Sequence, residues 1–89
     1  MNGELQAAQV RAQAVKRAHA ASLMQKANVV GVGVGVRQRG GAQTNEVVLV
    51  VMVRRKQPIE DLAPQDVIPT SLDGVPVDVQ EVGALSAQA

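Results

Sequence analysis

Valine alternates with glycine from Val29 to Val36, and this alternation constrains the fold more than any other feature of the sequence. Successive side chains of a β-strand point to opposite faces, so the valines from Val30 to Val36 share one face and the glycines the other. Glycine weakens a strand interior and often marks a close approach of another element to the backbone. We therefore predict a close contact between a helix and the strand at three glycines: Gly31, Gly33 and Gly35.

A long helix is predicted before this strand, over residues 4–27. The segment is dominated by Ala, Gln, Lys, Arg, Leu and Met, which favour helix, and it contains no Gly or Pro. Asn28 follows and can adopt the left-handed conformation that often ends a helix. At about 100° per residue, the apolar side chains form two stripes along the helix. Together the two stripes are wider than contact with one surface requires, which indicates that the helix has two neighbours. The first stripe is Leu5, Ala8, Ala12, Val15 and Leu23, and the second is Ala7, Val10, Ala14, Ala18 and Ala21.

The rest of the chain predicts a small sheet. Three strands are expected, at about residues 29–37, 46–55 and 75–82. Gly40 and Gly41 are typical of a hairpin loop between the first two strands, so the sheet is expected to be mainly antiparallel. Residues 57–74 contain three prolines and predict an irregular crossover with one helical turn near Ile59 to Leu62. The predicted fold class is α+β, with the helix packed on a three-stranded sheet in a single domain, 1–89.

The predicted middle strand is apolar on both faces, from Val47 to Val53. One helix covers only one face of a sheet, so the other face needs the crossover, a partner subunit or a neighbouring domain. This surplus of apolar surface favours a homo-oligomer or a larger assembly of this chain. The candidate interface residues lie on the second helical stripe and on the sheet: Ala7, Val10, Ala14, Ala18, Ala21, Val48, Val50, Val77 and Val79.

The composition argues against several classes of function. The net charge is +1, and no Phe, Tyr or Trp is present to stack on bases, so nucleic-acid binding is not expected. Without cysteine there is no thiolate metal site and no Cys nucleophile. The N-terminal segment lacks the apolar run of a signal peptide, and the run Val47–Val53 is far shorter than the ~20 residues of a membrane span. We predict a protein that is cytoplasmic by default, with export by another route left open, and without membrane association.

Two features of the sequence resemble parts of a catalytic or cofactor site. His19, the only histidine, has Ser22 three residues later but no acidic residue within one helical turn to orient its ring. The glycine series lacks the third glycine of a dinucleotide-binding loop, since Val36 and Gln38 occupy the positions where it would stand. We predict no catalytic residue, no metal site and no cofactor, and we interpret His19 as a packing residue at the edge of the first stripe.

Several sequence blocks together resemble a known bacterial module. They are residues 27–35, the strand ending in Arg54-Arg55-Lys56, Pro58 with Leu62, Ile68-Pro69, and residues 73–79. Over roughly residues 20 to 83 the chain is similar to the N-terminal region that precedes the catalytic domain of a group of bacterial trypsin-like serine proteases.

The resemblance implies an accessory module, either free-standing or cut from a longer protein. The protease domain of that family carries an Asn-His-Val type segment and a Gly-Ser type nucleophile segment, and neither occurs here. No catalytic residue is therefore carried over to any position of this chain. Two functions remain open from the sequence: a non-enzymatic module that associates with itself, and a regulatory or pro-segment-like module acting on a serine protease domain.

Overall fold

The computed structural model describes residues 3–83, apart from the side chains of Gln38 and Gln43. It has an α+β architecture, as predicted, with one N-terminal helix and a four-stranded mixed sheet. The helix α1 spans Gly3–Met24, and the strands are β1 (Val29–Arg39), β2 (Ala42–Val53), β3 (Ser71–Leu72) and β4 (Val75–Glu81). Two short 3₁₀ turns, Ile59–Asp61 and Pro64–Asp66, lie in the crossover between β2 and β3.

The sheet differs from the predicted one in strand number and direction. The strand order is β1-β2-β4-β3, in which β1 pairs antiparallel with β2, β2 pairs parallel with β4, and β3 pairs antiparallel with β4. The expectation of three mainly antiparallel strands was therefore wrong in detail. The crossover returns the chain to the end of the sheet where β2 begins, so β4 runs beside β2 in the same direction. The short strand β3 pairs with β4 through a turn in which Asp73 and Gly74 both have positive φ, at 51° and 84°.

The helix ends at Met24, three residues before the predicted end at residue 27. Turn residues follow, and Val29 N–H donates to Lys26 O. Asn28 has φ = 78°, which is the left-handed conformation expected for it. Residues 25–28 therefore form the turn that reverses the chain between α1 and β1.

The core lies between α1 and one face of the sheet. The first helical stripe faces it as predicted, with Ala12, Val15 and Leu23 buried and Leu5 and Ala8 packed against them. The sheet contributes alternate residues of its two central strands: Val47, Leu49, Val51, Val53, Val75 and Val77. Because β-branched and leucine side chains fill this layer, a core forms without any aromatic residue.

A bulge at the start of β1 changes which valines reach this core. Val29 pairs with Val53 and Gly31 pairs with Met52, so Val30 is an extra residue with no partner of its own on β2. Val29 is consequently buried with the core, together with the partly buried Val32. The alternation had predicted that Val30 shares a face with Val32, Val34 and Val36, whereas the bulge puts Val29 on that face instead.

The crossover lies on the same side of the sheet as the helix. Its residue Ile68 and the β3 residue Leu72 pack against the core. In the part of the chain that the structure describes, no helix combines the length and hydropathy needed to cross a membrane.

Candidate functional site

The face of the sheet opposite the helix is the first candidate surface. It is defined by the pairing register, because residues paired across two strands share a face. Gly31, Gly33 and Gly35 of β1 pair with Met52, Val50 and Val48 of β2, and Val50 and Met52 pair with Asp78 and Gln80 of β4. We call these eight residues the open sheet face, since the helix and the packed crossover residues lie on the other side.

The glycines form a track on the open sheet face instead of contacting the helix. A Cβ built on Gly33 would meet no atom within 4 Å, so space is open above this residue. On Gly31 and Gly35 it would lie 2.8 Å from Met52 Cε and 3.2 Å from Val50 Cγ2. The predicted helix contact at the glycines was wrong because the valines of β1 occupy the layer beside the helix.

The four sheet residues proposed for an interface divide between the two faces. Val48 and Val50 lie on the open sheet face, but Val48 is 0% exposed and only Val50 is partly accessible. Val77 is buried in the core, and Val79 is partly buried against it. Of these four valines, therefore, Val50 alone offers surface on the open sheet face to a partner.

The second helical stripe is exposed along its length. Its five residues, Ala7, Val10, Ala14, Ala18 and Ala21, are all exposed, and Val10 is 66% exposed. Val10 also lines a groove of about 440 Å³ between the helix and β1. The other residues of this groove are Gln6, Gln9, Gln13 and Val34. The stripe thus adjoins the outer strand of the sheet, and the groove that joins them carries no charged side chain.

The outer edge of β1 is the third accessible feature. β1 is the terminal strand of the sheet, and no other strand within residues 3–83 pairs with its outer edge. An ion pair lies near its far end, where Arg37 Nε is 2.7 Å from Glu46 Oε1. Thr44 Oγ1 donates to Arg37 O and accepts from Glu46 N–H, which holds this end of the hairpin together.

The structure brings His19 to a partner that the sequence reasoning missed. His19 Nε2 lies 2.8 Å from Asp73 Oδ2 in the turn between β3 and β4. The two residues are 54 positions apart, so no helical spacing could have revealed the pair. An exposed contact of this kind contributes at most about 1 kcal/mol, and it links the turn to the helix.

A cavity of about 240 Å³ lies under the crossover, beside the ends of β2 and β4. Its lining is mainly apolar and includes Val53, Leu62 and Val79. A hydrogen bond connects the crossover to the turn that follows the helix, because Ala27 N–H donates to Asp66 Oδ1 at 2.9 Å. No group of three His, Cys, Asp or Glu residues that could hold a metal ion occurs among the described residues.

No protein-family model matches the chain, and no curated protein matches it. The resemblance to the protease-associated module thus stays a prediction. A protease domain encoded in frame with this chain, or beside it, would support a regulatory role.

Proposed function

We propose that this protein is a non-enzymatic assembly module that associates with further copies of itself. The observation that carries the proposal is that the helix and the packed crossover residues share one side of the sheet. The other side keeps the partly exposed Val50 and Met52, and the second helical stripe is exposed along the helix. The open sheet face and the second helical stripe, centred on Gly33 and Val10, are the proposed contact surfaces.

Two properties of these surfaces support self-association over binding to a charged partner. The helix stripe and its groove consist of alanine, valine and glutamine, so the contact itself is uncharged, and the exposed Arg11 and Arg17 lie at its margins. The net charge of +1 also keeps long-range repulsion between copies small. A core without aromatic side chains buries little surface per residue, and burial between copies would add to it.

Light scattering coupled to gel filtration tests the proposal directly. We expect a mass of at least two chains at micromolar concentration, where one chain has 9.3 kDa. A monomer that persists over the whole micromolar range would contradict the proposed function.

Enlarging Gly33 is expected to weaken association through the open sheet face without destabilising the fold. The space above Gly33 accepts a side chain, and a strand residue with a side chain is favoured over glycine by about 0.5–1 kcal/mol. In the series Gly33→Ala, Gly33→Val and Gly33→Leu, the average mass of the particles should fall as the side chain grows. The urea midpoint of the variants should stay the same or rise. An unchanged mass in all three variants would exclude the open sheet face as a contact.

Replacing Val10 by Lys is expected to weaken association through the helix stripe. Val10 is 66% exposed, and Lys favours helix more than Val does, so the fold should tolerate the change. Burying a lysine charge between copies is costly, and the dissociation constant should rise at least about tenfold. Ser22→Lys is the matched control, because Ser22 is exposed on the same helix but belongs to neither the stripe nor its groove. Equal effects of the two variants would argue for a general charge effect and against the stripe.

A further inference from the structure

We propose that two copies of this chain pair through the outer edges of their β1 strands, antiparallel and about a two-fold axis at Val34. The pairing joins two four-stranded sheets into one continuous sheet of eight strands, with both α1 helices on the same face. This inference rests on the proposed function, and it specifies the contact through which two copies associate.

The first argument is the lack of protection on this edge. Edge strands of natural sheets are commonly short, charged, interrupted by proline or covered. β1 is 11 residues long, and from Val29 to Val36 it has no charged residue and no proline. Among the described residues, two irregularities limit regular pairing along this edge: the bulge at Val30 and the register shift between Val36 and Gln38.

The second argument concerns the pairing register between the two β1 strands, which the irregularities in β1 limit. Irregularities flank the stretch from Gly31 to Val36, one at Val30 and one between Val36 and Gln38. An axis at Val34 overlaps residues 32–36 of this regular stretch with the same residues of the second copy. Val32 then lies opposite Val36 of the second copy.

The same register separates the charges at the strand ends. Arg37 of one copy falls opposite Gly31 of the other, which has no side chain to clash with it. The two Arg37 residues are then six positions apart along the paired strands, about 20 Å, beyond the Debye length at physiological salt. Arg37 is already paired with Glu46 of its own chain. The register therefore brings no two like charges together along the paired strands.

The third argument is the position of the helix stripe. The axis passes through Val34, and Val34 lines the same groove as Val10. A two-fold axis perpendicular to the sheet keeps both helices on one face, so the two grooves meet across the axis. The uncharged side chains around Val10 then approach their own copies, and a single contact uses both the strand edge and the helix stripe.

Single cysteines give a sharp test, because the natural chain contains none. Residues directly opposite in an antiparallel pair have Cα atoms about 4.5–5.5 Å apart, within the range of a disulfide. Val34→Cys places two cysteines opposite each other at the axis, and we expect a disulfide-linked dimer on mild oxidation. Val32→Cys is the matched control: its cysteines are four positions apart, about 13 Å, and should not crosslink.

A mixture of two different cysteine variants completes the test of the pairing register. Val32→Cys and Val36→Cys should each stay uncrosslinked alone and give a disulfide-linked heterodimer when mixed. Cysteine behaves as a small apolar residue, so the fold should be retained, and circular dichroism of each reduced variant checks this. The same oxidations in concentrated urea measure crosslinking by random collision.

The outcomes separate the two proposals. A wild-type oligomer with the expected crosslinks supports both. A wild-type oligomer in which Val34→Cys fails to crosslink, or crosslinks no faster than Val32→Cys, overturns the edge pairing and leaves self-association standing. A wild-type monomer with no crosslink overturns the proposed function together with this inference.

Discussion

Replacing Leu49 by Ala is expected to lower the free energy of unfolding by about 3 kcal/mol. Leu49 is 0% exposed and lies in β2, where it pairs with Val34 of β1 on one side and Val77 of β4 on the other. Removing its side chain leaves a cavity in a core that consists only of aliphatic side chains. Domains of this size have a total stability towards the low end of about 5–15 kcal/mol, so the loss is a large part of it.

Urea unfolding followed by far-UV circular dichroism measures this loss, since the chain has no Trp or Tyr for fluorescence. Val50→Ala is the matched control, because Val50 is the next residue on the same strand but points to the open sheet face. Its cost should stay below about 1.5 kcal/mol. Both variants must be compared at a protein concentration where they have the same oligomeric state, because association adds to apparent stability. Similar losses in the two variants would contradict the assignment of the core to the odd-numbered face of β2.

The sequence was sufficient to predict the helix and its buried side. Apolar residues from Leu5 to Leu23 recur with the period of a helix, and burial follows this period because a helix has one fixed geometry. The exposed stripe around Val10 followed from the same reasoning. The left-handed conformation of Asn28 was likewise predictable, since few residue types adopt it readily.

The sheet was less predictable because its pairing depends on contacts far apart in sequence. An alternating strand does not reveal which face meets the helix, and the bulge at Val30 shifts the face of Val29 without any local signal. The glycines were assigned to the helix side by an argument about close approach, whereas the valines gain more by being buried there. The parallel pairing of β2 with β4 depends on the path of an irregular crossover, which composition does not determine.

The candidate surfaces show the same division. Helical periodicity alone identified the exposed stripe from Ala7 to Ala21. The sheet residues Val77 and Val79 were assigned to an interface from alternation on a strand whose neighbours were unknown. Once β4 lies beside β2, these two valines face the core. The face of β4 that carries Val77 and Val79, predicted as an interface, is therefore its buried face. The other face of β4 carries Asp78 and Gln80.

Asn28 connects the end of the helix to the end of β2, and replacing it by Ala is the second change with a large expected effect. Its backbone O accepts from Arg54 N–H at 2.9 Å, and its Oδ1 accepts from Arg55 N–H at 3.1 Å. Its Nδ2 donates to Arg55 O. The side chain thus acts like an additional pair of strand hydrogen bonds at the start of β1.

Asn28→Ala removes both side-chain hydrogen bonds and leaves a β-carbon on a residue with φ = 78°. Two hydrogen bonds at about 0.5–1.5 kcal/mol each and a left-handed penalty of about 1 kcal/mol predict a total loss of about 2–4 kcal/mol. Asn28→Gly is the matched control, because it removes the same hydrogen bonds but relieves the backbone penalty. Urea unfolding should therefore rank the proteins as wild type, then Asn28→Gly, then Asn28→Ala. If the Gly variant were no more stable than the Ala variant, the left-handed backbone at residue 28 would not be a constraint on this fold.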